Sequence, residues 1–324
     1  MEASDQLAPL EAAVAEGRDA SDFGCPANCP PLEECAAKVV ELRAALGAAA
    51  AVGPQDLVDT VSMTDDYMLL RYLIARDFDV AAAKEMFDLR AAFAAETQLS
   101  ERLAAWRCAL AHPDAAAPAR VALQRRVFYA GQSATDGRDG APVFVERMGQ
   151  ADFGGCSAEG EPMLGLVADA YAIYDELILR AVQRASFEQC KLVRATLIVD
   201  NGGMGMSALW NASIIKRVAS VGLAYFPELT GKIFIIRAPW FISSIWALVR
   251  PLLPERTLEK IDILGAEYAE TLAEAVDIGG LPGFLGGTTE SVAVCAAQKV
   301  DDECRALLRE AMADEEARVA AACG

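Results

Sequence analysis

The residues from Gly231 to Gly265, GKIFIIRAPWFISSIWALVRPLLPERTLEKIDILG, constrain the fold of this chain more than any other stretch. Lys232–Arg237 is a short run of β-branched and aromatic residues and reads as a strand. Pro239 opens the next element, since proline is tolerated where a first-turn N–H would have no intrahelical partner. Trp240 to Arg250 has helical length, and Pro251 and Pro254 end it. Lys260–Leu264 then reads as a second strand. The helix between them is unusual in composition. Trp240, Phe241, Ile242, Ile245, Trp246, Ala247, Leu248 and Val249 leave Ser243 and Ser244 as its polar interruptions, where a surface helix shows an apolar stripe. Spanning a bilayer takes about 20 residues, so this segment is too short. It is either buried within protein or faces something apolar that is not protein, and composition does not choose between the two.

The surroundings narrow the choice. With 324 residues, 54% of them hydrophobic, the chain has material for one large domain or two. A formal charge of −18 makes it a poor partner for nucleic acid. The Gly231–Gly265 stretch runs against that trend, with five bases and three acids. A basic patch beside an apolar helix suits brief docking on a bilayer. No run of about 18 apolar residues is present, and the acidic start MEASDQLAPLEAAVAEG reads neither as a secretory signal nor as a transit peptide. A cytoplasmic protein with transient membrane contact is expected.

Read in order, residues 1–55 form an acidic, alanine-rich extension expected to be largely flexible. Residues 56–115 read as an all-helical lobe. Thr64 is its expected cap, with Asp65 and Asp66 in the first turn, and Asp79 is the cap of the next helix. Arg125–Ala130 and Pro142–Arg147 read as strands, Glu161–Phe187 as a long amphipathic helix, Ala195–Asp200 as a buried strand and Leu209–Tyr225 as another helix. Strands separated by helices give an α/β fold with a mostly parallel sheet over residues 120–290. Residues 291–324 read as a charged terminal helix.

Several kinds of chemistry lack their residues. His112 is the one histidine, it is expected at an exposed helix end, and no G-x-S-x-G elbow exists. Asn201-Gly-Gly-Met-Gly205 lacks the third glycine of a dinucleotide fingerprint and reads as a strand-to-helix loop. Asp200 and Glu228 read as a cap or an ion pair each rather than an acid/base couple. Cys25-x3-Cys29-x5-Cys35 is the one cluster among nine cysteines. With no second half of ligands it does not read as a zinc site; reduced thiols are expected, with a local disulfide open. No catalytic residue, metal or cofactor is expected, and the chain is not read as an enzyme.

Five segments, in order, are similar to the CRAL-TRIO (Sec14-like) lipid-binding family. They are Leu69–Met86, Pro142–Gly149 (PVFVERMG), Thr196–Asp200, the block Tyr225–Trp240 with Pro251-Leu-Leu and Lys260–Gly265, and Leu281–Thr288 (LPGFLGGT). The resemblance covers about residues 60–290 and leaves both tails aside. It implies an N-terminal helical lobe before a CRAL-TRIO-like α/β domain with an apolar gate helix, and a carrier that encloses one lipid and exchanges it at membranes. Trp240, Phe241, Ile242, Ile245, Trp246 and Val249 then belong to the gate and cavity wall. Arg76, Glu228, Thr257 and Lys260 match polar residues around the headgroup in phosphatidylinositol-binding members. Arg76 and Lys260 can pair phosphate, Thr257 can donate a hydrogen bond, and Glu228 can orient a basic partner. Asp77 stands where a base often follows the matching arginine, which weakens phosphatidylinositol as the ligand. Phe144, Ala195 and Leu197 stand where phosphatidylcholine binders carry Tyr, Ser and Thr, which weakens phosphatidylcholine. The alternatives are a carrier of another small hydrophobic ligand and a lipid-regulated interaction module of unknown protein partners; a nucleotide-dependent enzyme comes last.

Overall fold

The structure is a computed structural model and describes residues 9–47, 63–112, 115–127, 130–289, 292–293 and 299–323. Helices α1 (Pro9–Ala15), α2 (Leu32–Leu46), α3 (Asp66–Ala75), α4 (Val80–Glu96), α5 (Leu99–Ala111) and α6 (Ala119–Val127) come first. Strands β1 (Ala130–Gln132) and β2 (Val143–Glu146), helices α7 (Phe153–Ala158) and α8 (Gly160–Gln189), and strand β3 (Ala195–Asp200) follow. Then come α9 (Ser207–Trp210), α10 (Ala212–Tyr225), β4 (Thr230–Ile236), α11 (Ile242–Val249), α12 (Glu255–Leu258), β5 (Ile261–Ile263) and α13 (Ala269–Ala275). β6 (Val292–Ala293) and α14 (Asp302–Cys323) close the chain. Two compact units result. The first takes Met1–Ser100, Leu177–Arg194 and Ala224–Gly231; the second takes Glu101–Glu176, Ala195–Leu223 and Lys232–Gly324.

The first unit is built on α3, all ten of whose residues are buried, as its nearly unbroken apolar sequence requires. Asp65 rather than Thr64 is its N-cap, accepting the Met68 N–H at 2.9 Å. The helix stops where Asp77 and Phe78 take φ of 49° and 62°, and the Phe78 N–H returns to the Leu73 carbonyl at 2.8 Å. Asp79 caps α4 through the Ala82 N–H at 2.9 Å, as its sequence predicts. Arg71, fully buried, donates to the carbonyls of Glu228 and Val193. That arginine thereby joins three distant stretches of chain.

The expected flexible extension is corrected for residues 9–47. Leu10, Phe23, Leu32 and Cys35 are each at most 1% exposed. The Phe23 ring stacks on Tyr67 at 5.6 Å, and Asp66 receives the Leu10 N–H and the Arg43 guanidinium. An alanine-rich composition hides this packing because a few large side chains, spaced far apart, carry it. The rest of that extension lies outside the described residues.

The second unit holds a mixed, mostly parallel sheet in the order β5-β4-β3-β2-β1-β6. β2 runs parallel to β3 and β4 to β5, while β1 is antiparallel to both β2 and β6. The ends of β3 and β4 meet through the Asn201 N–H and the Ile236 carbonyl at 3.0 Å. The strand expected over Arg125–Ala130 is a correction: α6 continues to Val127, and β1 starts at Ala130. Val121, Gln124 and Val127 are buried at three-residue spacing, so tertiary burial overrides the β propensity of the run. Phe128 and Tyr129 lie outside the described residues. The terminal helix expected from Val292 begins only at Asp302, after β6. It is docked, with Cys304, Leu308 and Ala311 buried and Glu303 paired to Arg126 at 2.6 Å.

Candidate functional site: an apolar sheet face and its cavity

The register of β2 and β3 sets Val143, Val145 and Ile198 on one face of the sheet. These residues join Phe234, Ile236, Leu272, Val276, Leu281 and Leu285 in a closed core. The opposite face carries Phe144, Glu146, Leu197 and Val199 from β2 and β3, and Ile233 and Ile235 from β4. There the packing is incomplete: Leu197, Val199, Ile233 and Ile235 are only partly buried. α10 has the same character, since Ile215, Val218, Val221 and Leu223 are partly buried too. Apolar side chains stranded between core and solvent on neighbouring elements are what a pocket wall looks like.

The same unit contains a small cavity of about 20 Å³ whose walls include Met148, Phe153, Val167, Tyr171, Ile214 and Val218. That is room for about one water molecule, well short of the roughly 300–1,000 Å³ found for ligand pockets. Its acidic wall residue, Asp152, has its carboxylate engaged by the N–H groups of Gly155 and Val300 at 2.9 and 3.1 Å. The Tyr171 hydroxyl is turned to the Met148 sulfur at 2.9 Å, and Tyr174 packs edge-on to Phe144. These polar groups of the lining are accordingly engaged within the protein.

Glu146 interrupts this apolar surface. It shares the Phe144 face, is 8% exposed, and burial alone pushes its carboxyl up to about 7. No basic group offsets that burial among the described residues. Sequence reasoning passed over it inside the PVFVERMG motif; the signal was its two-residue spacing from Phe144, which puts a carboxyl on an apolar face.

At the carboxyl ends of β2, β3 and β4 sits a second polar group. Asp200, 0% exposed, takes Arg237 in a forked pair, with Nε at 2.7 Å, and Arg147 at 3.5 Å. The Arg147 guanidinium lies over the Phe284 ring at 4.1 Å. Gly202 must be glycine here, because a Cβ would stand 2.7 Å from the Arg237 Nε. Of the cap or ion pair expected for Asp200, the ion pair forms, together with a hydrogen bond from the Gly202 N–H at 2.8 Å, and Asn201–Gly205 is a strand-to-helix loop leading to α9. Glu228 is likewise paired, to Arg194 at 2.7 Å. His112 is exposed at the end of α5.

The residues expected around a headgroup divide between the units. Arg76 and Glu228 belong to the first, Thr257 and Lys260 to the second. Arg76 ends α3 and donates to its neighbour, the Ala75 carbonyl, at 3.0 Å. The Glu228 carboxylate orients Arg194, whose Nη1 also holds the Gly24 carbonyl at 2.8 Å. Thr257 and Lys260 share one turn, the Lys260 N–H donating to the Thr257 carbonyl at 3.2 Å, and the Lys260 carbonyl accepts from Ile233 at the start of the β4–β5 ladder.

The segment expected as a helix over Trp240–Arg250 is shorter and more ordinary than its composition suggests. α11 covers Ile242–Val249, with a 3₁₀ turn at Arg250–Leu252. Phe241, Ile245 and Val249 are buried at four-residue spacing, Ile242 and Trp246 are partly buried, and Ser243, Ser244, Ala247 and Leu248 face outward. The outer side is still apolar: Trp240 is 84% exposed, Leu248 41% and Leu252 45%.

Comparison with known proteins assigns this arrangement. The CRAL/TRIO domain family matches residues 134–287, and its N-terminal domain matches residues 41–89. The Sec14 cytosolic factor of Schizosaccharomyces pombe is 30% identical over 236 residues, 71% of this chain and 77% of that protein. The chain belongs to the CRAL/TRIO family. Among other CRAL/TRIO relatives, the phosphatidylinositol/phosphatidylcholine transfer protein SFH12 of Arabidopsis thaliana is 29% identical over 237 residues, covering 69% of this chain and 40% of that one. The crystal structure of Sfh5 shares the CRAL/TRIO fold, with a TM-score of 0.51 at 14% identity over 87% of this chain and 98% of that chain. Both matched family segments contain the elements described above, α3 and the start of α4 in the first and β2 through α13 in the second.

Proposed function

We propose that this CRAL/TRIO protein is a lipid carrier that takes up one lipid against the apolar face of its sheet, with α11 as the gate, and exchanges it at membranes. The observation that carries the reading is the run of partly buried apolar residues on β3, β4 and α10. Left in water, such a surface costs about 25 cal/mol per Å², and an acyl chain would cover it at about 0.8 kcal/mol per CH₂. α11 supports the gate role, because its inner side is packed by Ile245 and Val249 while Trp240, Leu248 and Leu252 are presented outward. Those outward residues suit contact with a bilayer, and no described helix is long and apolar enough to cross one. The printed name of the S. pombe relative supports a cytosolic setting, and that of the Arabidopsis relative supports phosphatidylinositol or phosphatidylcholine among the ligands to test first. Phe144 and Ala195, both fully buried and without a polar side-chain group, argue against a choline head on that face of the sheet.

For an inositol phospholipid, Arg76 and Lys260 supply phosphate-pairing charge, Thr257 a hydroxyl donor, and Glu228 acts through Arg194. Native mass spectrometry of the purified chain is expected to show one bound lipid. Vesicle-to-vesicle transfer of phosphatidylinositol is expected to fall at least tenfold in Lys260→Ala and Arg76→Ala. An empty protein that extracts nothing from vesicles removes the carrier reading; unchanged transfer in both variants removes the headgroup assignment alone.

A further inference from the structure

The three clustered cysteines lie outside both matched family segments and have no part in lipid binding as proposed above. They are nonetheless brought together. The Cys29 N–H closes a turn on the Pro26 carbonyl at 3.0 Å, which folds Cys29 back toward Cys25. Cys35 enters from the first turn of α2, its thiol on the Pro30 carbonyl at 3.4 Å. The Cys25 thiol interacts with both the Cys29 and Cys35 thiols. Cys25 and Cys35 are buried and Cys29 is partly exposed. The loop that carries them is pinned at Phe23 and Gly24. Leu192 N–H donates to the Phe23 carbonyl at 2.7 Å and Arg194 to the Gly24 carbonyl at 2.8 Å. Gly24 itself has φ of +85°, and a Cβ there would stand 2.5 Å from the Leu192 carbonyl oxygen.

We propose that Cys25, Cys29 and Cys35 form a thiol–disulfide site, in which Cys29 is the thiol oxidised first and Cys25 closes the bridge. Accessibility decides the order, since of the three only Cys29 is open to a solute. With a hydroperoxide as oxidant, the Cys29 thiolate attacks one peroxide oxygen, giving a sulfenic acid and releasing water or alcohol. The Cys25 sulfur then displaces the sulfenic oxygen, forming the S–S bond and a second water; the two thiols lose two electrons and two protons in all. Cys35 stays reduced beneath the bridge. The cross-link fixes the turn whose neighbouring carbonyl holds Arg194, and Arg194 is the partner of Glu228. Oxidation is thereby read into the surroundings of Glu228.

The reduced site is slow to react at neutral pH. Contact with Cys29 pulls the Cys25 thiol down, but contact with Cys35 and burial outweigh it and push the thiol up to about 12; Cys29 is raised by contact with Cys25 and by burial. Because the thiolate is the reactive form, oxidation should quicken roughly tenfold per pH unit between 7 and 9. The test is peptide mapping of the full chain after hydrogen peroxide treatment at several pH values, with alkylation before and after reduction. A Cys25–Cys29 bridged peptide that appears faster at higher pH and is reversed by dithiothreitol is the expected result. In Cys29→Ser that bridge is absent. In Cys35→Ser it still forms. The proposal is overturned if Cys25 and Cys29 alkylate in full after treatment while exposed Cys108 and Cys190 are oxidised, or if the bridge recovered is Cys25–Cys35. Cys29 is partly exposed, so its serine variant keeps the test decisive if Cys25→Ser fails to fold.

Discussion

Glu146 ends β2 and Asp200 ends β3, and the two meet opposite fates. Asp200 is buried and paired with two arginines, Arg147 and Arg237. Glu146 is buried on an apolar face, where the charged form loses its hydration and gains nothing in exchange. The folded chain therefore favours the neutral acid, whose pKa rises from 4.5 to about 7. Below pH 4.5 both folded and unfolded chains are protonated and the site costs nothing. As the pH rises from there to 7, the unfolded chain ionises first and folding stability falls, by up to about 3 kcal/mol in all. Glu146→Gln is thus expected to be the more stable protein above pH 7 and to lose its advantage near pH 4.5, as read by urea midpoints across that range. A flat difference between the two proteins would mean that Glu146 is solvated. Its neutral form is also the one compatible with a lipid tail, so the same substitution should leave transfer at pH 6 nearly unchanged. Asp200 and Glu228 could be read as ion-pair residues from the sequence, but their arginines could not. Arg237 lies 37 positions from Asp200 and Arg194 lies 34 from Glu228, and local patterning carries no information across such distances.

α11 shows how far an element can be inferred from its residues alone. Its position between two strands and its proline brackets were legible, because proline and strand propensity act locally. Its two sides were not. The apolar residues divide into an inner set, Phe241, Ile245 and Val249, and an outer set, Trp240, Leu248 and Leu252, and only the neighbours in space decide which is which. The division makes a paired prediction. Ile245→Ala should cost about 2–5 kcal/mol of stability by opening a cavity. Leu248→Ser should change stability by no more than about 0.5 kcal/mol yet reduce lipid exchange, since it removes apolar surface from the side proposed to meet a bilayer. If Leu248→Ser transfers lipid at the parent rate, the outer side has no membrane role. α6 makes the opposite point. Its RRV end scores as strand, and the burial of Val127 on the Val121–Gln124 side of the helix wins.

At the scale of the whole chain, the terminal helix α14 proved to be a structural part of the second unit. Arg102 and Arg120 gather Asp169 of α8 and Glu315 of α14 into one charged network, and Leu308 and Ala311 are buried. A chain ending at Asp301 should therefore melt at a lower temperature and unfold at lower urea; an unchanged midpoint would make α14 an appendage free to recruit partners. The α/β class, the family and the order of the elements from α3 to α13, apart from α6, were legible in the sequence itself. Each rests on short-range signals: the β-rich run of β3, the Asp79 cap of α4, and motifs of five to twenty contiguous residues. The tertiary structure alone decided which apolar residues close the core and which stay partly exposed. It also decided which arginine meets which carboxylate, and that the Cys25–Cys35 segment is packed. The physical reason is the same in each case: burial is a property of what a residue meets across the fold, and a chain read along its length does not contain its own neighbours.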